Sequence, residues 1–185
     1  MSRINPAKES ELGEDLKIIM DQSNEMMGFV PNDALIMAKS PKLLQSVNQL
    51  ISTIYSFESI SQEMRSLVGL MASQASGCNY CIAHTSSSAL QKNISIEKVK
   101  EIWEFEMSEL FSRKEKAALR IALNAAQTPN MISDLDYEEF RKYFDENQQI
   151  EILAIISLFG FLNRWNSSLM TEIESLPLTK LKELD

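Results

Sequence analysis

Nearly every segment of the chain combines apolar residues at helical spacing with a helix start or stop signal. Asn5-Pro6 places a capping side chain before a proline. A helix is expected from there to about Met27, with Leu16, Ile18, Ile19, Met20, Met26 and Met27 on its apolar face. Gly28 fits the stop, and Val30-Pro31-Asn32-Asp33 restarts the chain into a short helix ending near Ala38. Ser40-Pro41 opens the next, running to about Tyr55 and burying Leu43, Leu44, Val47, Leu50, Ile51 and Ile54. Ser61 begins a helix that turns Met64, Leu67, Val68, Met71, Ala72 and Ala75 inward and ends near Gly77. Another starts within Cys78-Asn79-Tyr80-Cys81 and reaches about Gln91, and Ser95 opens a short one. Ser112 to Gln127 is amphipathic and is broken by Thr128-Pro129-Asn130. Asp136 is expected to cap a helix to about Phe144, and Asn147 to start a long last helix reaching Glu174.

The 185 residues fit one domain, 1–185, with no linker or low-complexity tract. Five glycines and five prolines leave little turn chemistry for a many-stranded sheet, so the expected class is all-α. A faint internal repeat aligns Met64–Ala83 with Gln149–Ser168, placing Cys78 opposite Asn163; two duplicated helical hairpins and generic helix patterning explain it about equally well. The apolar run Ile150–Leu162 is interrupted by Glu151 and followed by Asn163 and Arg164; it is too short for a bilayer and reads as a buried helix. A formal charge of −8 with no basic stripe argues against nucleic-acid partners and anionic membrane surfaces. The polar N-terminus has no apolar signal segment, so a cytoplasmic protein with reduced thiols is expected.

The two cysteines and the one histidine all fall within Cys78-Asn79-Tyr80-Cys81-Ile82-Ala83-His84. In the first turns of a helix, positions i, i+3 and i+6 share a face, so Cys78 can meet Cys81 and Cys81 can meet His84. Unpaired amides at a helix N-terminus stabilise a thiolate, and an imidazole one turn along can accept the thiol proton. The trio therefore favours dithiol–disulfide redox chemistry. Two other arrangements stay open from spacing alone: a zinc site completed by a carboxylate such as Glu63, and inert packing of buried cysteines. A structural disulfide is the weakest, because so short a loop constrains the unfolded chain little. No glycine-rich phosphate loop is present, so no organic cofactor is expected. Tyr80 is a candidate for bonding a substrate oxygen or for simple packing, and Asn163 with Arg164 for a buried polar pair or a subunit contact.

Glu63-Met64-Arg65-Ser66-Leu67-Val68 followed by Ser73 through Thr85 resembles the alkylhydroperoxidase D-like branch of the carboxymuconolactone decarboxylase family. Phe29-Val30-Pro31-Asn32 is similar to that family's N-terminal turn, and Glu151 through Asn163-Arg164-Trp165 to its C-terminal helix. The resemblance implies an alkylhydroperoxidase D-like helical bundle that forms homo-oligomers. It also implies a thiol peroxidase acting in antioxidant defence on a hydroperoxide, with a peroxiredoxin or other thiol–disulfide electron partner. By position, Cys81 would attack the peroxide, Cys78 would resolve, and His84 would accept the proton. The family's relay glutamate position holds Ser66 and its histidine position holds Thr85, so Glu63, one helical turn earlier, is the candidate relay carboxylate. Lactone decarboxylation, which names the family, would leave the cysteines unused; a non-catalytic redox sensor would use the same pair to switch an interface.

Overall fold

The computed structural model describes residues 1–184, and their regular structure is entirely helical. After a short 3-10 turn at Glu9–Glu11 come α1 (Glu14–Met27), α2 (Asn32–Met37), α3 (Pro41–Tyr55), α4 (Gln62–Ser76) and α5 (Asn79–Gln91). They are followed by α6 (Ile96–Lys100), a second 3-10 turn at Glu101–Glu104, α7 (Arg113–Ala125), α8 (Asp134–Arg141), α9 (Glu146–Leu169) and α10 (Ser175–Lys182). No described helix is long and apolar enough to cross a membrane.

At the centre lies α4, packed against α5, α7 and α9. Leu67, Val68, Leu70, Met71 and Ala72 are wholly inaccessible, which explains why α4 lacks a polar face through its centre. Close approach to α9 depends on Gly69: a Cβ there would stand 2.6 Å from the Phe159 ring. A second cluster, built by Leu16, Met20, Leu35, Leu44 and Val47, joins α1, α2 and α3. The smallest cluster contains Cys78, Tyr80 and Cys81, with Ile173 against it. Leu162 of α9 packs on all three clusters, so the cysteine motif lies where they converge.

Ser61, Ser95 and Ser112 cap α4, α6 and α7, each accepting a backbone N–H three residues on. Elsewhere the boundaries differ from those expected. α1 begins after Gly13, not at Pro6, because Pro6 to Gly13 offers no apolar stripe to hold a longer helix. Only Leu16 and Met20 of its expected face are buried, while Met26 is 69% exposed. α8 starts one turn early, at a reciprocal cap between Ser133 and Asp136. Leu50 and Ile150 point to solvent. The most consequential difference is at the end of α9. Met170 adopts a left-handed conformation (φ 51°), the helix stops, and an extended segment leads to α10. Glu174, expected on a continuous helix, instead sits just before α10 and turns its carboxylate back to His84 of α5.

Candidate active site

α4 terminates at Gly77, whose φ of +63° is readily adopted only without a side chain. The turn delivers Cys78 to the N-cap of α5, where its sulfur accepts the Cys81 N–H at 3.4 Å. Both thiols are free and buried, at 1% and 4% exposure. Their acidities diverge. The Cys81 thiol donates to Cys78 and lowers its pKa to about 6 against the opposing effect of burial, with help from the Ser167 hydroxyl and the amides of Cys81 and Tyr80. Cys81 is pushed far above the ordinary thiol range by that same bond, by burial, and by the negative charge of Cys78 and Asp33. The direction of these shifts favours ionisation of Cys78, whereas the family resemblance makes Cys81 the attacking thiol. Proximity to His84 along the helix does not decide it, because His84 directs Nε2 at Glu174 Oε2, 2.6 Å away, and bonds to neither sulfur.

A polar network continues from Cys81. Asn166 of α9 uses its amide group twice, donating to Cys81 Sγ at 3.7 Å and to Asp33 Oδ2 at 3.1 Å. Asp33 Oδ1 and Glu174 Oε1 lie 3.2 and 2.9 Å from the Tyr80 hydroxyl. Burial and these two carboxylates push the Tyr80 pKa well up, so the phenol keeps its single proton and donates it. Glu174 also accepts the Asn32 N–H at 2.5 Å. Burial raises the Glu174 pKa, but the His84 bond and charge, with the Asn32 amide, outweigh it and hold the carboxyl below its usual range. The His84 ring stacks on Tyr80 at 4.0 Å and meets the edge of Phe29 at 5.2 Å. Cys81, Asn166, Asp33, Tyr80, Glu174 and His84 thus form one hydrogen-bonded chain.

Cys78, Cys81 and His84 are brought together as expected, but Glu63 is not. It lies in the first turn of α4, and thirteen residues at about 1.5 Å each put roughly 20 Å between it and the Ser76 end. There it pairs with Lys98 at 2.6 Å, sharing that ammonium with Glu115 at 2.5 Å. The carboxylate facing His84 is Glu174. Asp33, Asn166 and Glu174 were missed as site residues. The one signal was polar Asn163 and Asn166 on the buried face of an apolar helix. Asn163 and Arg164 do not form the buried pair considered for them: Asn163 is buried and donates to the Ala72 carbonyl, whereas Arg164 is exposed. Among the described residues no three His, Cys, Asp or Glu side chains cluster so as to hold a metal.

The model of the carboxymuconolactone decarboxylase family matches residues 41–124. The structure superimposes on the debrominase Bmp8 with a TM-score of 0.92 and 32% identity, over 98% of this chain and 97% of that one. A cysteine-to-alanine variant of Bmp8 in complex with 2,3,4-tribromopyrrole superimposes with a TM-score of 0.92 at 31% identity, over 98% and 97%. An uncharacterised protein of Escherichia coli K12, YnjA, is 30% identical over 57% of this chain, a stretch that spans 58% of that protein's length. The alkylhydroperoxidase AhpD core protein of Ralstonia eutropha shares the fold, with a TM-score of 0.84 at 17% identity over 95% and 94% of the two chains.

Proposed function

The chain belongs to the carboxymuconolactone decarboxylase family and has the alkylhydroperoxidase D-like fold, and on that premise we propose that it is a dithiol oxidoreductase that reduces a hydroperoxide. The observation that carries this reading is a pair of free, buried thiols one helical turn apart at the start of α5, joined by the Cys81 N–H bond to Cys78 Sγ and set beside the hydrogen-bonded chain that ends at His84. A midpoint near 6 leaves Cys78 about nine-tenths ionised at neutral pH, ready to attack, while Cys81 keeps its proton.

In the first step the Cys78 thiolate attacks the outer peroxide oxygen and the O–O bond breaks. The alkoxide leaves as an alcohol, taking a proton supplied through the Tyr80–Glu174–His84 network. The Cys78 sulfenic acid is then attacked by the Cys81 sulfur, whose proton departs with the hydroxide as water. Two thiols and one hydroperoxide become a disulfide, an alcohol and water. An external thiol–disulfide partner returns the pair to its dithiol state.

A second electrophile is favoured by one observation, the 32% identity to a debrominase over the whole chain. The same dithiol can take bromine from an aromatic ring: the ring carbon gains a proton, Cys78 takes the halogen with its bonding pair left on carbon, and Cys81 expels bromide. The products are the dehalogenated ring, the disulfide and hydrogen bromide.

Stoichiometric titration of the reduced protein with an organic hydroperoxide, and separately with a brominated pyrrole, tests both. The expected result is loss of two thiols and about two mass units. Glu174→Gln should slow turnover about a hundredfold and leave the alkylation midpoint of Cys78 in place. Intact thiols after excess of both reagents would overturn the proposal.

A further inference from the structure

Dithiol chemistry needs a sulfur that an outside molecule can touch, yet Cys78 is 1% exposed and Cys81 4%. On one side the pair rests on α9, through Leu162 and Asn166. Another cover is the segment that follows the left-handed turn at Met170. Its Ile173 packs against the cysteine cluster, and α10 lies chiefly along α5, the helix whose start holds both thiols.

Three features mark this cover as a part that opens. Its apolar footing is small: within α10 only Pro177 is buried, and beyond it Leu184 rests on the main core. Its near end is strained. Met170 holds a φ of 51° although it carries a side chain, and at 59% exposure that side chain has little packing to offset the cost. The adjoining Thr171 is buried with its hydroxyl unpartnered, a second cost of the closed arrangement. Finally, the bonds that hold the segment down converge on one side chain. Glu174 accepts the Asn32 N–H at 2.5 Å and the Tyr80 hydroxyl at 2.9 Å, and meets His84 Nε2 at 2.6 Å. Glu172 adds two neutral backbone bonds, to Ser2 Oγ and from Asn32 Nδ2, both of 2.9 Å.

We propose that residues 171–182 form a lid, latched by Glu174, which swings about Met170 to admit the thiol–disulfide partner that re-reduces the cysteine pair. This deepens the dithiol-reductase reading, on which it rests for its role. Disulfide exchange requires an incoming sulfur to reach one sulfur of the pair, and a thiol carried on a protein surface cannot pass beneath Ile173 while the lid is shut. With the lid open, the partner's thiolate forms a mixed disulfide with one cysteine and expels the other, which takes a proton. The partner's second thiol then frees the first cysteine, and a disulfide in the partner replaces the one in this chain. The latch also divides the cycle. Opening draws Glu174 away from His84 and Tyr80, so the proton network is whole only when the lid is closed over a small substrate.

The test uses the reduced protein and two maleimides, N-ethylmaleimide and one carried on a polyethylene glycol chain of a few kilodaltons. Each adds a thiolate sulfur across its double bond and takes up one proton, so any change in thiolate population cancels in the ratio of their rates. Glu174→Ala should raise the large-to-small ratio at least about tenfold, because three bonds to one carboxylate are lost together. Ile173→Ala, which removes only apolar cover, should raise it about threefold or more. Deuterium exchange of the α10 amides in Glu174→Ala should quicken by a similar factor, with the amides of 67–72 at the centre of α4 unchanged. A ratio unchanged in both folded variants overturns the proposal. So does an equal quickening of exchange in α4, which would mean general loosening in place of a lid. Maleimide addition needs no peroxide, so the lid and the peroxide reaction fail separately: a responsive ratio in a protein whose thiols survive peroxide would sink the function and leave the lid.

Discussion

Replacing Cys81 by alanine removes the donor that does most to hold the Cys78 thiol near 6, and the midpoint should climb toward the ordinary thiol value of 9.0. The Ser167 hydroxyl and the backbone amides remain, but burial opposes them, so they do not keep it low on their own. Each pKa unit corresponds to about 1.36 kcal/mol, so the net lowering from 9.0 to about 6 is worth about 4 kcal/mol, with the Cys81 bond its largest cause. At pH 7 the ionised fraction of Cys78 would fall about ninetyfold, from about nine-tenths to about one-hundredth. The more basic thiolate is also more nucleophilic, by roughly twentyfold across that span at a Brønsted slope of about 0.45. The net rate at pH 7 therefore drops only about fourfold, and the midpoint is the decisive quantity. The assay is iodoacetamide labelling of Cys78 between pH 4 and 10, followed by peptide mass. Cys78 ionises on the alkaline side of its midpoint, so wild-type labelling should rise through about pH 6 and the variant's only through a region nearer 9.0. His84→Gln should leave the wild-type midpoint in place, because that imidazole is bonded to Glu174. A midpoint in Cys81→Ala within about half a pH unit of wild type would refute the reasoning, as would labelling of Cys81 ahead of Cys78 in the unmodified protein.

Two substitutions outside the site check the account of the fold. Glu63→Ala should leave turnover unchanged and alter unfolding free energy by no more than about 1 kcal/mol, since its partner Lys98 retains Glu115; a turnover loss of tenfold or more would restore the displaced relay. Gly69→Ala should lower stability by about 1–3 kcal/mol in chemical denaturation, because the added methyl meets the Phe159 ring at 2.6 Å. Unchanged stability there would mean that α4 and α9 are less tightly packed than described.

What could be read from the chain itself was whatever depends on neighbours a few residues apart. Ser61, Ser95 and Ser112 cap their helices because a side-chain oxygen and an amide three positions on meet in any helical first turn. Gly77 ends α4 and Cys78 begins α5 for the same local reasons, and the i, i+3 spacing of the two thiols follows from that start. The all-α class and the central place of α4 likewise follow from its apolar run. Local rules failed where competing local choices were nearly equal. Nothing near Met170 announces a left-handed residue, so α9 was extended through the segment that in fact turns back. The same limitation misdirected the search for a carboxylate. Proximity along the chain favoured Glu63 and paired His84 with Cys81. Packing of α2, α9 and the start of α10 around α5 instead brings in Asp33, Asn166 and Glu174, which lie 47, 85 and 90 residues along the chain from Tyr80, Cys81 and His84 respectively. Thiol acidity belongs with these tertiary outcomes. The motif put two sulfurs and an imidazole on one helix, but which sulfur carries the charge depends on who donates to whom. Burial amplifies each of those bonds, and burial is a property of the assembled helices.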